Sequence, residues 1–279
     1  TVGLLDDYNL IARFCPDQVR ITVKARNAEG VEVTGHATLP VRVHTSPNTY
    51  TLPLEPGEWF IIAYPGLHAH HRWTTATEHA MDFTMVDARG SWARGDVSDW
   101  RTGRVPRWED WYAYNKKVLA TAEGVVVKVV SEVEFPLEFW NRQDGEALEA
   151  YWERIGGKQM ELFMTPGVDP AAVAGGNYIV IRHANDEYSF YAHLAYGGIR
   201  VKEGQTVAQG EHIAGVGGTG EQPAVHLHFQ ISDGPSMLTS RTLPVRFNNV
   251  LANEPFADIF APRLFFQSGF FITSIAREA

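Results

Sequence analysis

The chain is predicted to be mostly β: an antiparallel sheet with a small N-terminal β-layer and a few short helices. Three observations predict this. Short segments in which apolar and polar residues alternate recur from Val19 to Phe229. Gly and Pro punctuate them at turn spacing. Helical spacing is clear in one stretch only, Asp144 to Ile155.

The elements follow in order. Val19 to Ala25 alternates cleanly, Asn27 to Gly30 supplies a turn, and Val31 to His36 resumes the alternation. Trp59 to Ala63 reads as another apolar strand, so 1–63 is taken as an N-terminal β region and 64–279 as the main domain. Insertions are expected at about 84–115 and 135–170. The first is a loop bearing Trp92, Trp100, Trp108 and Trp111, either a binding loop or a segment pinned to the surface by its aromatics. Val118 to Val130 reads as a strand pair around Gly124. Leu148, Tyr151, Trp152 and Ile155 mark a surface helix stopped by Gly156-Gly157.

At 279 residues the chain suits one large or two moderate domains. Its net charge of -9 argues against nucleic-acid binding, which needs a basic face. A single cysteine, Cys15, excludes an intramolecular disulfide and a Cys-rich zinc module. No run of apolar residues is long enough for a transmembrane segment, and no signal peptide is readable. Oligomeric state is not legible.

The chemistry concentrates at His226-Leu227-His228. Val225, Leu227 and Phe229 alternate with the histidines, so both imidazoles should leave one face of one strand. Either they are solvated on a half-exposed strand, or they hold a metal, or one holds a metal and the other moves a proton. Gly215-Val216-Gly217-Gly218-Thr219-Gly220 fits a dinucleotide-loop pattern, but a strand rather than a helix follows it, so it is read as a turn.

Four ordered motifs set these histidines in a wider pattern. They are Gly176-Asn177 running to His183, Tyr191-Ala192-His193-Leu194, the stretch Val201 to Gly217, and His226-Leu227-His228-Phe229. Their succession resembles the LytM or lysostaphin-like M23 family of zinc metallopeptidases, with a weaker upstream piece at 78–130. The resemblance implies a peptidase domain of duplicated-hybrid-motif type. It further implies zinc as cofactor, a peptide or peptidoglycan substrate, and a place in the cell envelope, periplasmic or secreted.

Carried over by motif, His228 and Asp82 are metal ligands, while His193 and His226 are the catalytic pair. His226 is then the leading general base, and His193 orients water or stabilises the oxyanion. The two roles could be exchanged. His183 and His212 are read as structural. The departure lies before Asp82, where Glu78 stands in place of the family's first histidine and His79 is displaced by one position. The third ligand is therefore read as His71, from Leu67-His68-Ala69-His70-His71, since imidazole is the better donor for zinc, with Glu78 and His79 as the alternatives.

The leading function is a zinc-dependent endopeptidase acting on cell-wall peptidoglycan. The alternative is a catalytically silent module of the same fold that lacks a full metal site. A carrier domain of the biotinyl/lipoyl or sugar-permease type shares the hairpin pattern of 201–217 but leaves the histidines unexplained.

Overall fold

A computed structural model describes residues 17–40, 45–63, 71, 74–94, 106–134, 137–220, 224–254, 257–260 and 271–275. The chain divides into two compact units, Thr1–Ser46 and Pro47–Ala279. Cys15, Trp100, His68 and His70 lie outside the described residues.

In the first unit, β1 (Gln18–Arg26) pairs antiparallel with β2 (Glu32–Pro40). Asn27 makes the turn: its Oδ1 accepts from the N–H groups of Glu29 and Val31. The alternation puts Val19, Ile21, Val23 and Ala25 on one face of the ribbon, opposite Leu39, Ala37, Gly35 and Val33.

The second unit holds an 11-stranded antiparallel sheet. Its strands are β3 (Gly57–Ala63), β4 (Met81–Thr84), β6 (Gly124–Val130), β7 (Asn177–Arg182), β8 (Tyr188–Leu194), β9 (Thr206–Val207), β11 (Leu227–Ser232), β12 (Thr242–Leu243), β13 (Val250–Glu254), β14 (Ala257–Phe260) and β15 (Phe271–Ser274). They lie in the order β14-β13-β15-β3-β4-β11-β8-β7-β6-β9, with β12 also on β11. A separate two-stranded sheet pairs β5 (Lys117–Leu119) with β10 (His212–Gly215). The sequence reading grouped residues 57–63 with the N-terminal strands. In the structure β3 lies inside the large sheet, between β15 and β4.

Two further expectations change. Residues 118–130 do form strand, turn and strand, but β5 and β6 pair with different partners rather than with each other. Gly124 sits at that departure because a Cβ there would lie 2.5 Å from the Arg182 carbonyl oxygen. The helix does not stop at the glycine pair. It runs as α1, Leu148–Met164, straight through Gly156 and Gly157, and is followed by α2, Pro170–Gly175. Its two buried residues, Tyr151 and Ile155, both precede the glycines. Tyr151 donates its hydroxyl to the Trp140 carbonyl at 2.9 Å, and Arg154 pairs with Glu146 at 2.7 Å. The first half of α1 is therefore the anchored half.

The sheet packs two layers. Leu227, Phe229 and Ile231 of β11 join Tyr191, Ile179 and Trp59 in the main core. On the other face Tyr178, Val180, Phe190, Ala192 and Met237 form a smaller cluster. His183 is buried between the two strands of the β7–β8 hairpin, with Nδ1 on the Glu123 carbonyl and Nε2 on Ser189 Oγ, both at 2.7 Å. Burial pushes its pKa down. His212 is half-buried, with Nε2 on the Ala214 carbonyl. Both fit structural roles.

Candidate metal centre

Strand alternation builds the site. With Leu227, Phe229 and Ile231 in the core, His226, His228, Gln230 and Ser232 project to the opposite side of β11. Asp82 of β4 stands directly across from His228 in register. Such a cross-strand pair holds its side chains within reach of each other. His228 Nδ1 lies 3.1 Å from Asp82 Oδ1.

His71 completes the group. Its Nε2 lies 3.2 Å from Asp82 Oδ2, and its ring packs edge-on to His228 with centroids 4.9 Å apart. A short turn places it: Thr77 Oγ1 donates to the His71 carbonyl at 2.7 Å, and the Ala80 N–H bonds the Thr77 carbonyl. Glu78 and His79 belong to this turn, which ends before β4 begins, so strand periodicity does not govern them. Both are half-buried and outside the group, and the His79 N–H donates to Thr242 Oγ1. Among the described residues, His71, Asp82 and His228 form one buried set whose donor atoms all lie within 4.8 Å of one another.

The outer hydrogen bonds orient the two rings. His71 Nδ1 faces the Ala80 carbonyl at 3.3 Å, an acceptor only, which places a proton on Nδ1 and leaves Nε2 as the nitrogen that faces Asp82. Gln230 Nε2 donates to the Ala76 carbonyl and to Ser232 Oγ, both at 3.0 Å, which turns Oε1 toward His228 Nε2 at 3.0 Å. His228 Nε2 therefore donates to Gln230, and Nδ1 is the nitrogen that faces Asp82. Two imidazole nitrogens thus face one carboxylate, an arrangement that a cation, either a ring proton or a metal ion, satisfies. Two imidazoles and a carboxylate are a common zinc donor set. Donors at about 2.0–2.2 Å in tetrahedral array stand roughly 3.4 Å apart, close to the separations from Asp82. The residues fit a metal ion, and each histidine has the outer acceptor that such ligands usually use.

The other two histidines flank this group. His193 and His226 have ring centroids 4.6 Å apart, and His226 Nε2 is 3.8 Å from Asp82 Oδ1. His193 Nδ1 lies 2.7 Å from the Thr219 carbonyl and His226 Nδ1 lies 2.9 Å from the Ala224 carbonyl. Each therefore keeps its Nε2 bare. Burial first, then the neighbouring His226 and His228 imidazoles, push His193 well below the usual imidazole range. Burial likewise lowers His226, against the opposing pull of Asp82. Both rings are held neutral and able to accept a proton.

His193 reaches the site through a backbone irregularity. Between the pairs Asn177↔Leu194 and Ile179↔Tyr191, strand β8 carries one extra residue, and His193 has φ +59°. This bulge breaks the alternation, so Ala192 and His193 both line the groove while Tyr191 and Leu194 stay in the core. A left-handed conformation at a non-glycine residue costs about 1–3 kcal/mol and tends to persist where the surroundings impose it. Thr219 helps impose it: its Oγ1 accepts from the Asn177 N–H and donates to the Leu194 carbonyl, both at 2.9 Å.

The groove over these residues encloses about 660 Å³. The aromatic loop contributes unevenly. Trp92 lines the groove, Trp111 is buried, and Trp108 packs over Gly218, where a Cβ would meet its ring at 2.6 Å.

Residues 167–239 match the profile of peptidase family M23. Over 82 residues the chain is 40% identical to the peptidoglycan DD-endopeptidase ShyA of Vibrio cholerae, covering 29% of this chain and 16% of that protein. Over 59 residues it is 41% identical to an uncharacterized metalloprotease of Haemophilus influenzae, covering 21% of this chain and 12% of the relative. The chain thus spans less than a fifth of either curated relative. Among solved structures, the catalytic domain of lysostaphin from Staphylococcus simulans aligns at TM-score 0.32 with 19% identity, over 67% of this chain and 88% of that one. The stretch that is similar to peptidase family M23 contains β7, β8 and β11 with His193, His226 and His228.

Proposed function

We propose that the protein is a zinc-dependent endopeptidase that hydrolyses peptide bonds in bacterial cell-wall peptidoglycan. It would act in the cell envelope, in the periplasm or after secretion. The observation that carries this reading is the convergence of one imidazole nitrogen from His71 and one from His228 on the Asp82 carboxylate, beside the imidazoles of His193 and His226, whose Nδ1 atoms are taken up by carbonyls. The Vibrio relatives named as peptidoglycan DD-endopeptidases support the substrate class.

His71, Asp82 and His228 are the proposed ligands, with Glu78 and His79 in the turn outside them. A zinc ion held there supplies a Lewis acid that polarises a peptide carbonyl and acidifies water. His226 is the proposed general base, since its neutral Nε2 points into the groove within 3.8 Å of Asp82. It takes a proton from the attacking water and can return it to the leaving amine. His193 begins as an acceptor too, so it can orient that water directly. It can donate to an oxyanion only after it has itself been protonated. Ala224 and Thr219 carbonyls hold the two rings in these tautomers throughout.

Elemental analysis and a digest of purified peptidoglycan test this. The wild-type protein should contain about one zinc and release soluble peptide-bearing fragments. His71→Ala, Asp82→Ala and His228→Ala should each lose the metal, whereas His226→Ala and His193→Ala should keep it and lose the hydrolysis. Retention of zinc by His71→Ala together with its loss in Glu78→Gln would move the third ligand to Glu78. A wild-type protein free of metal after zinc loading would replace this reading with the catalytically silent module.

A further inference from the structure

Two chemically distinct sets of residues line the groove. One is His71, Asp82, His193, His226 and His228. The other is apolar: Phe163 of α1, Ala174 and Gly175 of α2, Ala192 of β8, and Met237 with Leu238 from the turn before β12. Two helices, α1 and α2, thus contribute apolar residues to the groove that also holds the metal group. The reaction as proposed uses none of these side chains.

One contact sets the shape of that apolar lining. Gly175 is buried, and a Cβ added to it would lie 2.7 Å from Met237 Cε, 3.1 Å from Met237 Sδ and 3.4 Å from Ala192 Cβ. The missing side chain at Gly175 is therefore what lets the Met237 thioether lie against α2 and the Phe190–Ala192 surface. Sterics do not permit both a side chain at Gly175 and Met237 in this position. Methionine at such a place fills an irregular gap and adapts to a bound group.

We propose that Gly175, Met237 and Phe163 form a specificity subsite for an uncharged, apolar side chain flanking the scissile bond. The proposal rests on the endopeptidase reading and names the substrate feature that reading leaves open. An apolar side chain gains from burial against this lining. A carboxylate or ammonium placed there would lose its water with no partner from these residues, which is costly. Selection therefore works by refusing charge beside the metal group and by matching volume to the space that Met237 leaves.

The test uses blocked synthetic peptides in which each residue flanking the bond is varied in turn through Gly, Ala, Leu, Glu and Lys. Cleavage is followed with zinc-loaded wild-type protein, and binding with zinc-loaded His226→Ala by calorimetry. At one flanking position kcat/KM should fall by about tenfold or more from Ala or Leu to Glu or Lys, since a single mismatched group in an apolar pocket is worth that much. Met237→Ala should shift the preference at that position toward Leu. Gly175→Ala, which adds a methyl group to the groove lining and displaces the thioether, should shift it toward Gly. Zinc content should be unchanged in both variants. Equal cleavage of charged and apolar peptides, or a preference that neither variant moves, overturns the subsite while leaving the endopeptidase intact. Apolar-ranked binding without cleavage by the wild type leaves the subsite standing and overturns the peptidase reading. Peptide binding with no rank among side chains overturns the subsite, whatever the activity.

Discussion

At the scale of single residues, Gln230 carries more than its position suggests. It lines no part of the groove, yet it decides which nitrogen of His228 turns to Asp82, because its own amide is already committed to Ala76 and Ser232. Outer partners of this kind typically contribute about 10- to 100-fold in metal affinity. Gln230→Met, which keeps the volume but removes the acceptor, should weaken zinc binding by about that factor in a competition titration against a chelating dye. An unchanged affinity, with the fold intact by circular dichroism, would show that the tautomer is fixed by something else. The sequence held the signal for this residue. Gln230 stands two places after His228 on a strand whose alternation was already evident, so it had to share the histidine face. Motif order brought Asp82, His193, His226 and His228 forward, and the structure gathers them around one groove. His71 was favoured as the third ligand with Glu78 and His79 left open, because its approach to Asp82 depends on a turn held by Thr77 that no periodicity reveals.

At the scale of the element, α1 explains both a misreading and a liability. A glycine pair ordinarily ends a helix, and the sequence was read that way. The structure continues because the insertion supplies no competing turn before Thr165, whose N–H bonds back to the Leu162 carbonyl. Neither glycine is required by crowding, since a Cβ at Gly156 or Gly157 would have nothing within 4 Å. Glycine inside a helix costs about 1 kcal/mol relative to alanine. Gly156→Ala and Gly157→Ala should therefore each raise unfolding stability, by up to about 1 kcal/mol, without a clash. Native-state hydrogen exchange should show the same boundary. Amides after Gly157 should exchange faster than those around Tyr151 and Ile155, and the alanine variants should narrow the gap. Uniform protection along α1 would count against this account. The strands were easier to read than the helix. Alternation identified β1, β2, β3 and β11, but pairing partners are long-range choices, so the joining of β3 to β4 and β15 and the separation of β5 from β6 lay beyond local pattern.

At the scale of the whole molecule, the site is a meeting of distant segments. The proposed ligands Asp82 and His228 sit on adjacent strands, His71 is held by a turn, and the proposed proton-transfer pair comes from a bulge in β8 and the start of β11. No helix among the described residues is long and apolar enough to cross a membrane. Asp82 and His228 are 146 positions apart in the chain. This separation has a consequence for the order of events during synthesis. The donor set has no local precursor: β4 leaves the ribosome long before β11, and the carboxylate must wait for its imidazole. Closing so long a loop comes late and is entropically costly. Zinc should then capture a chain that has already folded most of the way, and its effect should fall on escape from the native state. In stopped-flow experiments zinc is expected to slow unfolding by a large factor while leaving the refolding rate nearly unchanged. Accelerated refolding would mean that the ion gathers the strands itself.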